Sequence, residues 1–391
     1  MAVAQGYGKT VTSGSVFAYD TGDTRNSYIG EPTTNLVLFN VTVANFSNDY
    51  GANLVSQTAD YNVTYRGRPT LRVNTVGQWN LYRAGRPGNF TATSSTVFTF
   101  SWKMKWSDGK VPSFVVGYIY TDADLFYPGV TVTPLEDGWY LCQTVGGGTS
   151  SPIWLAGFNS SQTGTCYIAD WQVEAKSHAT SFTPAGTTRS ATQGLLPLVG
   201  NSTVDLSNVS FNSNAQMYFD GTNDYISLPD GTQWFTNEWS YDMIVKFNGN
   251  TGTYQGLVWG EGALGGGSGY QKLLSFYNYS YFHYRIQNSS TGWTQTDFTP
   301  TGFTPSNYNH IVWQFVNGVT QLFLNGVLVH TDSSRGAYNG GTNSPLYIGC
   351  RNDIALVFNG EIPVMKRYSR ILSAAEVRQN YLHYKTRFNL S

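Results

Sequence analysis

Charge is what this sequence has least of. Asp, Glu, Lys and Arg make up 12% of its 391 residues and nearly cancel, to a net charge of −1. That share is about half the usual one. No basic tract is present to hold nucleic acid or an anionic membrane by long-range attraction. No apolar run approaches the ~20 residues that span a bilayer. The opening stretch, Met1 to Thr10, lacks the apolar centre of a secretory signal. The expectation is therefore no nucleic-acid partner, no membrane partner, and synthesis in a cytoplasm without a signal peptide. Cysteine is also sparse: Cys142, Cys166 and Cys350 are odd in number and show no C-x-x-C spacing. A disulfide framework and a zinc knuckle are both disfavoured. Buried free thiols are the expectation, with a Cys142–Cys166 pair left open.

Aromatics and small polar residues fill the space that charge leaves. There are 27 Tyr, 22 Phe, 11 Trp and 42 Gly, with Asn, Ser and Thr at the polar positions. Surface helices normally carry Glu, Lys and Arg, so this mixture favours sheets and polar turns. The length suits two or three domains at about 100–200 residues each. Alternation is clearest from Val97 to Trp106, where Phe98, Phe100, Trp102, Met104 and Trp106 share one face and Thr99, Ser101, Lys103 and Lys105 the other. Asn317-Gly318 and Asn325-Gly326 read as two-residue hairpin turns, because both residue types accept positive φ. One helix is signalled: Ser373-Ala374-Ala375-Glu376 is a capping box, followed by Val377, Tyr381 and Tyr384 at helical spacing.

The organisation is discontinuous. Gly14 to Asp20 reads as the opening strand of a sandwich whose next segment arrives only near Leu195. Turn-rich linkers at Gly30–Asn35 and Ser181–Thr188 bracket a complete second set of strands. The expected division is an arm at 1–12, one sandwich from 13–30 with 189–391, and an inserted sandwich at 31–188. The arm is small and polar with little to pack, so a neighbouring subunit is its expected partner.

The stretches Phe219–Ile226, His310–Trp313, Leu322–Val329, Leu346–Gly349, Phe358–Ile362 and Tyr368–Val377 resemble, in order, the laminin-G-like, concanavalin A-like jelly-roll family. Thr165–Glu174 followed by Ala179–Pro184 resembles the jelly-roll carbohydrate-binding modules attached to glycoside hydrolases. The implied fold class is all-β: two antiparallel sandwiches, the second concanavalin A-like with one short C-terminal helix. Chains that combine these modules resemble virion proteins of tailed bacteriophages. That resemblance implies a non-enzymatic protein on the virion exterior, as head decoration, fibre or tail accessory. It would touch other virion proteins through residues 1–12, a cell-surface glycan through its sandwiches, and copies of itself, a trimer being favoured. The alternatives are a polysaccharide-degrading glycoside hydrolase and a free bacterial carbohydrate-binding protein.

Candidate chemistry is limited. Tyr277, Tyr279, Tyr281, His283 and Arg285 share a face if Tyr277–Ile286 is one strand, with Phe276, Phe282, Tyr284 and Ile286 on the other. Such a row stacks on sugar rings or packs an interface. Tyr118 and Tyr120 are a second exposed candidate pair, while Trp102 and Trp106 are expected in a core. Structural calcium is a minor expectation: both resembled families often hold it, at Asp220, Asn223 and Asp224 in one turn and at Asp170 in the module-like segment. Glycan hydrolysis needs two carboxylates about the scissile bond. The nearest approach is Glu238 with Asp242, expected to face solvent.

Overall fold

The computed structural model describes residues 9–36, 54–77, 80–83, 97–120, 125–126, 129–147, 153–158, 162–228, 234–249, 253–262, 270–277, 280–289, 292–334, 345–351 and 356–391, in some strands by backbone alone. The chain forms two compact units. One comprises residues 1–30, 191–212 and 216–391; the other comprises residues 31–190 with 213–215.

In the first unit, strand Ser15–Asp20 pairs antiparallel with Asn359–Tyr368, setting Phe17 opposite Arg367 and Asp20 opposite Val364. Met217–Asp220 pairs with the start of the same strand at Gly360. Ser210–Phe211 pairs with Met217–Asp220 on that side, and on the other edge follow Glu238–Phe247, Asn309–Val316, Val319–Leu324 and Val327–Asp332, giving an eight-stranded sheet. The opposing sheet has six strands, in the order Ile226–Leu228, Leu346–Ile348, Tyr254–Gly262, Tyr270–Tyr277, Tyr281–Ser289 and Gly292–Phe298. Phe17, Tyr19, Trp239, Tyr241 and Trp313 of the first sheet share one buried cluster with Val258, Leu274, Phe276, Phe282 and Tyr284 of the second. Each large side chain so buried contributes about 1.5–3 kcal/mol. An exposed ion pair contributes about 0–1 kcal/mol, so this cluster decides the fold. The hairpin turns take the expected backbone: φ is 47° and 88° at Asn317 and Gly318, and 48° and 78° at Asn325 and Gly326.

The outer face of the eight-stranded sheet is not left to water. Helix Ala374–Phe388 lies there, closed by the capping box of Ser373 and Glu376 and ended by Asn389 in the left-handed conformation. Val377 packs with Val312 and Phe323, and Tyr381 and Tyr384 pack with Ile244 and Val364. The chain start joins the same layer. Val11 is buried in the Val377 cluster, its N–H donates to Asn380 Oδ1 at 2.8 Å, and its carbonyl accepts from Tyr368 at 3.0 Å. The described part of the expected arm, residues 9–12, is thus packed on its own unit; residues 1–8 lie outside the described residues.

This layer also corrects the reading of Asp242. Glu238 is exposed, but Asp242 is fully buried beneath the helix. Its carboxylate meets His310 Nε2 at 3.2 Å and accepts from Asn380 Nδ2 at 2.7 Å. Burial works to raise the Asp242 pKa, but His310 and Lys366 outweigh it and hold it below the usual carboxylate range. Burial pushes Lys366 down to about 8. A strand-face alternation cannot reveal this, because it does not show that a helix covers the polar side.

In the second unit, a six-stranded sheet (Leu54–Tyr65, Arg68–Thr75, Gly164–Glu174, Val97–Trp106, Tyr140–Gly147, Thr131–Pro134) accompanies a four-stranded one (Asn80–Arg83, Ile153–Phe158, Phe114–Tyr120, Leu125–Phe126). Trp102 and Trp106 are core, with Phe98, Phe100, Met104 and Trp171. Cys142 and Cys166 are buried free thiols. The unit's ends are stitched together: Thr33–Thr34 pairs with Thr188–Arg189, and Arg189 Nε donates to the Glu31 carbonyl at 2.9 Å. Lys176 and His178 hold the Glu31 carboxylate.

The helix layer makes stability sensitive to pH and to one buried carboxylate. The Arg370 guanidinium and Ser373 hold the Glu376 carboxyl down at about 2, from an unfolded value of 4.5. Its contribution is present above about 4.5 and is lost as pH falls towards 2. Glu376→Gln should flatten that stretch of the stability curve in urea titrations at pH 2–7, while a curve of unchanged steepness would contradict the assignment. Asp242→Ala leaves Asn380 and His310 without their buried acceptor, and should lower the unfolding free energy measured in urea by about 3–5 kcal/mol.

Candidate functional site

The outer face of the six-stranded sheet gathers the aromatic residues that the inner core does not use. Tyr277 to Ile286 is not one strand. It is a hairpin, turned at Ser280, whose N–H donates to the Tyr277 carbonyl at 2.8 Å. Tyr277 pairs with Tyr281, Ser275 with His283 and Leu273 with Arg285. The loop between the paired tyrosines preserves the parity of a continuous strand. Tyr277, Tyr281, His283 and Arg285 therefore still share a face, and Phe276, Phe282, Tyr284 and Ile286 enter the core. Tyr279 lies outside the described residues.

Neighbouring strands add to this face. Tyr254 pairs with Tyr277, and its ring lies 4.5 Å from Tyr277 and 4.6 Å from His283. The rings of Tyr277 and Tyr281 are stacked at 5.0 Å. The hydroxyls of Tyr254 and Tyr281 are 3.5 Å apart, and this contact chiefly pushes Tyr281 up to about 12. The Tyr281 phenol is thus neutral near pH 7 and able to donate. His283 is buried and its Nδ1 lies 2.7 Å from Asp297 on the edge strand. Further along the face, Trp259 pairs with Tyr347, ring to ring at 5.6 Å, and Tyr347 meets Tyr225 at 5.9 Å.

One glycine shapes the site. Gly256 stands opposite Ser275, and its N–H donates to the Leu356 carbonyl. A side chain there would meet the backbone of Leu356 at 3.0 Å and of Cys350 at 3.2 Å. The backbone of Cys350 and Leu356 therefore packs closely against Gly256, and Arg351 follows Cys350 in the chain. Its positive charge acts on Arg285, which burial and Arg351 together hold below the ordinary arginine range. Sequence reasoning missed Tyr254, Trp259, Tyr347, Asp297 and Arg351. Asn and Ser favour turns, so the types at 278 and 280 were a signal that could have marked the hairpin; nothing local signalled Arg351.

The other candidates separate. Asp170, at φ 50°, receives a bidentate ion pair from Arg68 at 2.6 and 2.7 Å, so its oxygens are engaged by a guanidinium. In the first unit, Asp224 accepts from the amides of Ser210 and Asp220, and burial pushes its carboxyl up. Asp220 accepts from Thr222 and Asn223, the geometry of a self-capped turn. Among the described residues no group of three or more His, Cys, Asp or Glu could hold a metal ion. Tyr118 and Tyr120 lie on strand Phe114–Tyr120, with side chains outside the described residues. Among the described side chains of the aromatic face, Asp297 is the one carboxylate, and it is engaged by His283.

Comparison with known proteins agrees with this architecture. Residues 220–378 match the family described as the Concanavalin A-like lectin/glucanases superfamily, and the domain is concanavalin A-like. No curated protein matches the sequence. Among solved structures, the botulinum neurotoxin serotype D binding domain is similar at 12% identity and a TM-score of 0.38, over 49% of each chain. The binding domain of Paraclostridial Mosquitocidal Protein 1 is similar at 14% identity and a TM-score of 0.36, over 48% of this chain and 49% of that one. The chain thus spans about half the length of these structures.

The close passage at Gly256 is testable. Gly256→Ala should displace Cys350 and Leu356, lower stability by about 1–3 kcal/mol as overpacking does, and alter the near-ultraviolet dichroism of the tyrosine cluster. An unchanged spectrum and stability would contradict the crossing.

Proposed function

We propose that this protein is a non-enzymatic carbohydrate-binding protein whose ligand face is the outer face of the six-stranded sheet. The observation that carries this reading is the cluster of Tyr254, Tyr277 and Tyr281, partly exposed, with rings 4.5–6.5 Å apart and hydroxyls at its rim. Flat aromatic surface takes the apolar face of a sugar, and phenol and guanidinium groups reach its hydroxyls. The match of residues 220–378 to a superfamily of lectins and glucanases supports the same reading. Hydrolysis would need a second carboxylate about 5–10 Å from the first, and Asp297 has none beside it among the described side chains of this face.

Location and assembly extend the proposal. Two jelly-roll units in one low-charge, Tyr- and Asn-rich chain suit the exterior of a phage virion, held by other virion proteins and by copies of itself. Mass spectrometry and antibody labelling of purified particles test this. Absence of the chain from every particle would overturn it.

Glycan-array binding tests the site. Tyr277→Ala with Tyr281→Ala should weaken binding about tenfold, equivalent to about 1.4 kcal/mol, with the unfolding transition retained. Undiminished binding by the double variant would remove this face from the account, and release of free sugar from bound glycan would overturn the non-enzymatic reading.

A further inference from the structure

Tyr254 and Trp259 lie on one strand, Tyr254–Gly262, at an odd separation. In a regular strand that would send them to opposite faces. The register shift between Gly256 and Val258 inserts one extra residue, and this bulge turns Trp259 back to the face of Tyr254. The pairing confirms the common face: Tyr254 stands opposite Tyr277, and Trp259 stands opposite Leu273 on one side and Tyr347 on the other. Their neighbours Val258, Leu274 and Ile348 enter the core. Trp259 holds Tyr347 ring to ring at 5.6 Å, and Tyr347 meets Tyr225 at 5.9 Å. Trp259 and Leu273 are buried, whereas Tyr225 and Tyr347 are half-buried, as are Tyr254, Tyr277 and Tyr281. The face thus carries two partly exposed aromatic groups, one at each end of the bulged segment. At ~3.3 Å per residue they stand on the order of 15 Å apart along the strand. Tyr277 and Tyr347 belong to the strands on either side of it, which sets the two groups on a diagonal.

A sugar ring on one such group covers little apolar surface and is held weakly. Two groups fixed on one sheet act together on a ligand long enough to reach both, because the second contact then forms within the same complex. A single terminal sugar gains nothing from the second group. We infer that this face takes an internal stretch of an extended glycan chain, with one sugar against Tyr277 and Tyr281 and another, further along the chain, against Tyr225 and Tyr347. This rests on the reading of the face as a glycan site and specifies the form of ligand it selects.

The test uses the full chain and size ladders of cello-, xylo- and chito-oligosaccharides, from one unit to six, with affinity read by calorimetry. In at least one ladder affinity should rise by at least about tenfold between the disaccharide and the hexasaccharide, as a step at the length that spans both groups. One group alone would offer a longer chain only more positions, and affinity would then grow in proportion to length. Tyr225→Ala and Tyr347→Ala should each remove the step and leave the binding of short chains in place. Where Tyr347→Ala lowers the unfolding midpoint, Tyr225→Ala decides. Tyr277→Ala with Tyr281→Ala should weaken short and long chains alike. Affinity that does not step with length, or a step that survives both single variants, would overturn the two-group inference and leave the glycan reading standing. All three ladders unbound, with other glycans retained on an array, would overturn it equally. Failure to bind any glycan would overturn both readings.

Discussion

The first unit depends on one piece of backbone pairing, between Ser15–Asp20 and Asn359–Tyr368. Phe17 and Tyr19 enter the main core from that strand and are fully buried. Without it, half an edge of Asn359–Tyr368 would lose its partner, and exposed strand edges are a liability in isolation. Closing a loop of such length costs little more than closing a short one, because the entropy grows only with the logarithm of length. The chain can therefore place a complete second unit after its first strand. Each unit closes its own ends: Ile29 donates to Gly194 in the first, and Thr33–Thr34 pairs with Thr188–Arg189 in the second.

The two sheets of the first unit then acquire different outer faces. The eight-stranded sheet is covered by the C-terminal helix and by residues 9–12, and its polar positions become an internal network around Asp242. A charge so placed contributes order by being fully partnered, and is costly once a partner is removed. The six-stranded sheet instead places tyrosines, a histidine and Arg285 outward. Its inner face alone satisfies the hydrophobic core, so these outer side chains are not needed for it. This asymmetry between the outer faces directs function to one side of the sandwich.

Much of this was legible in the sequence, for physical reasons. Period-two alternation placed Trp102 and Trp106 in a core and Phe282, Tyr284 and Ile286 opposite Tyr281 and His283. The Asn-Gly turns and the capping box depend on local conformation and could be read locally. The alternation from Tyr277 to Arg285 hid a turn, yet parity survived because the hairpin loop preserves it. The residues that sequence could not supply owe their position to distant chain. Cys350 and Leu356 approach Gly256 only because it lacks a side chain, and Asp242 is buried only because a helix more than a hundred residues later covers it. Asp170 carried the right residue type for a hard cation, but its partner Arg68 sits on another strand.

The most direct measurement is a crystal structure of the full chain with an oligosaccharide it binds. The account predicts a sugar ring over Tyr277 and Tyr281. A ligand seated on the unit formed by residues 31–190, or on the first unit away from these two side chains, would contradict it.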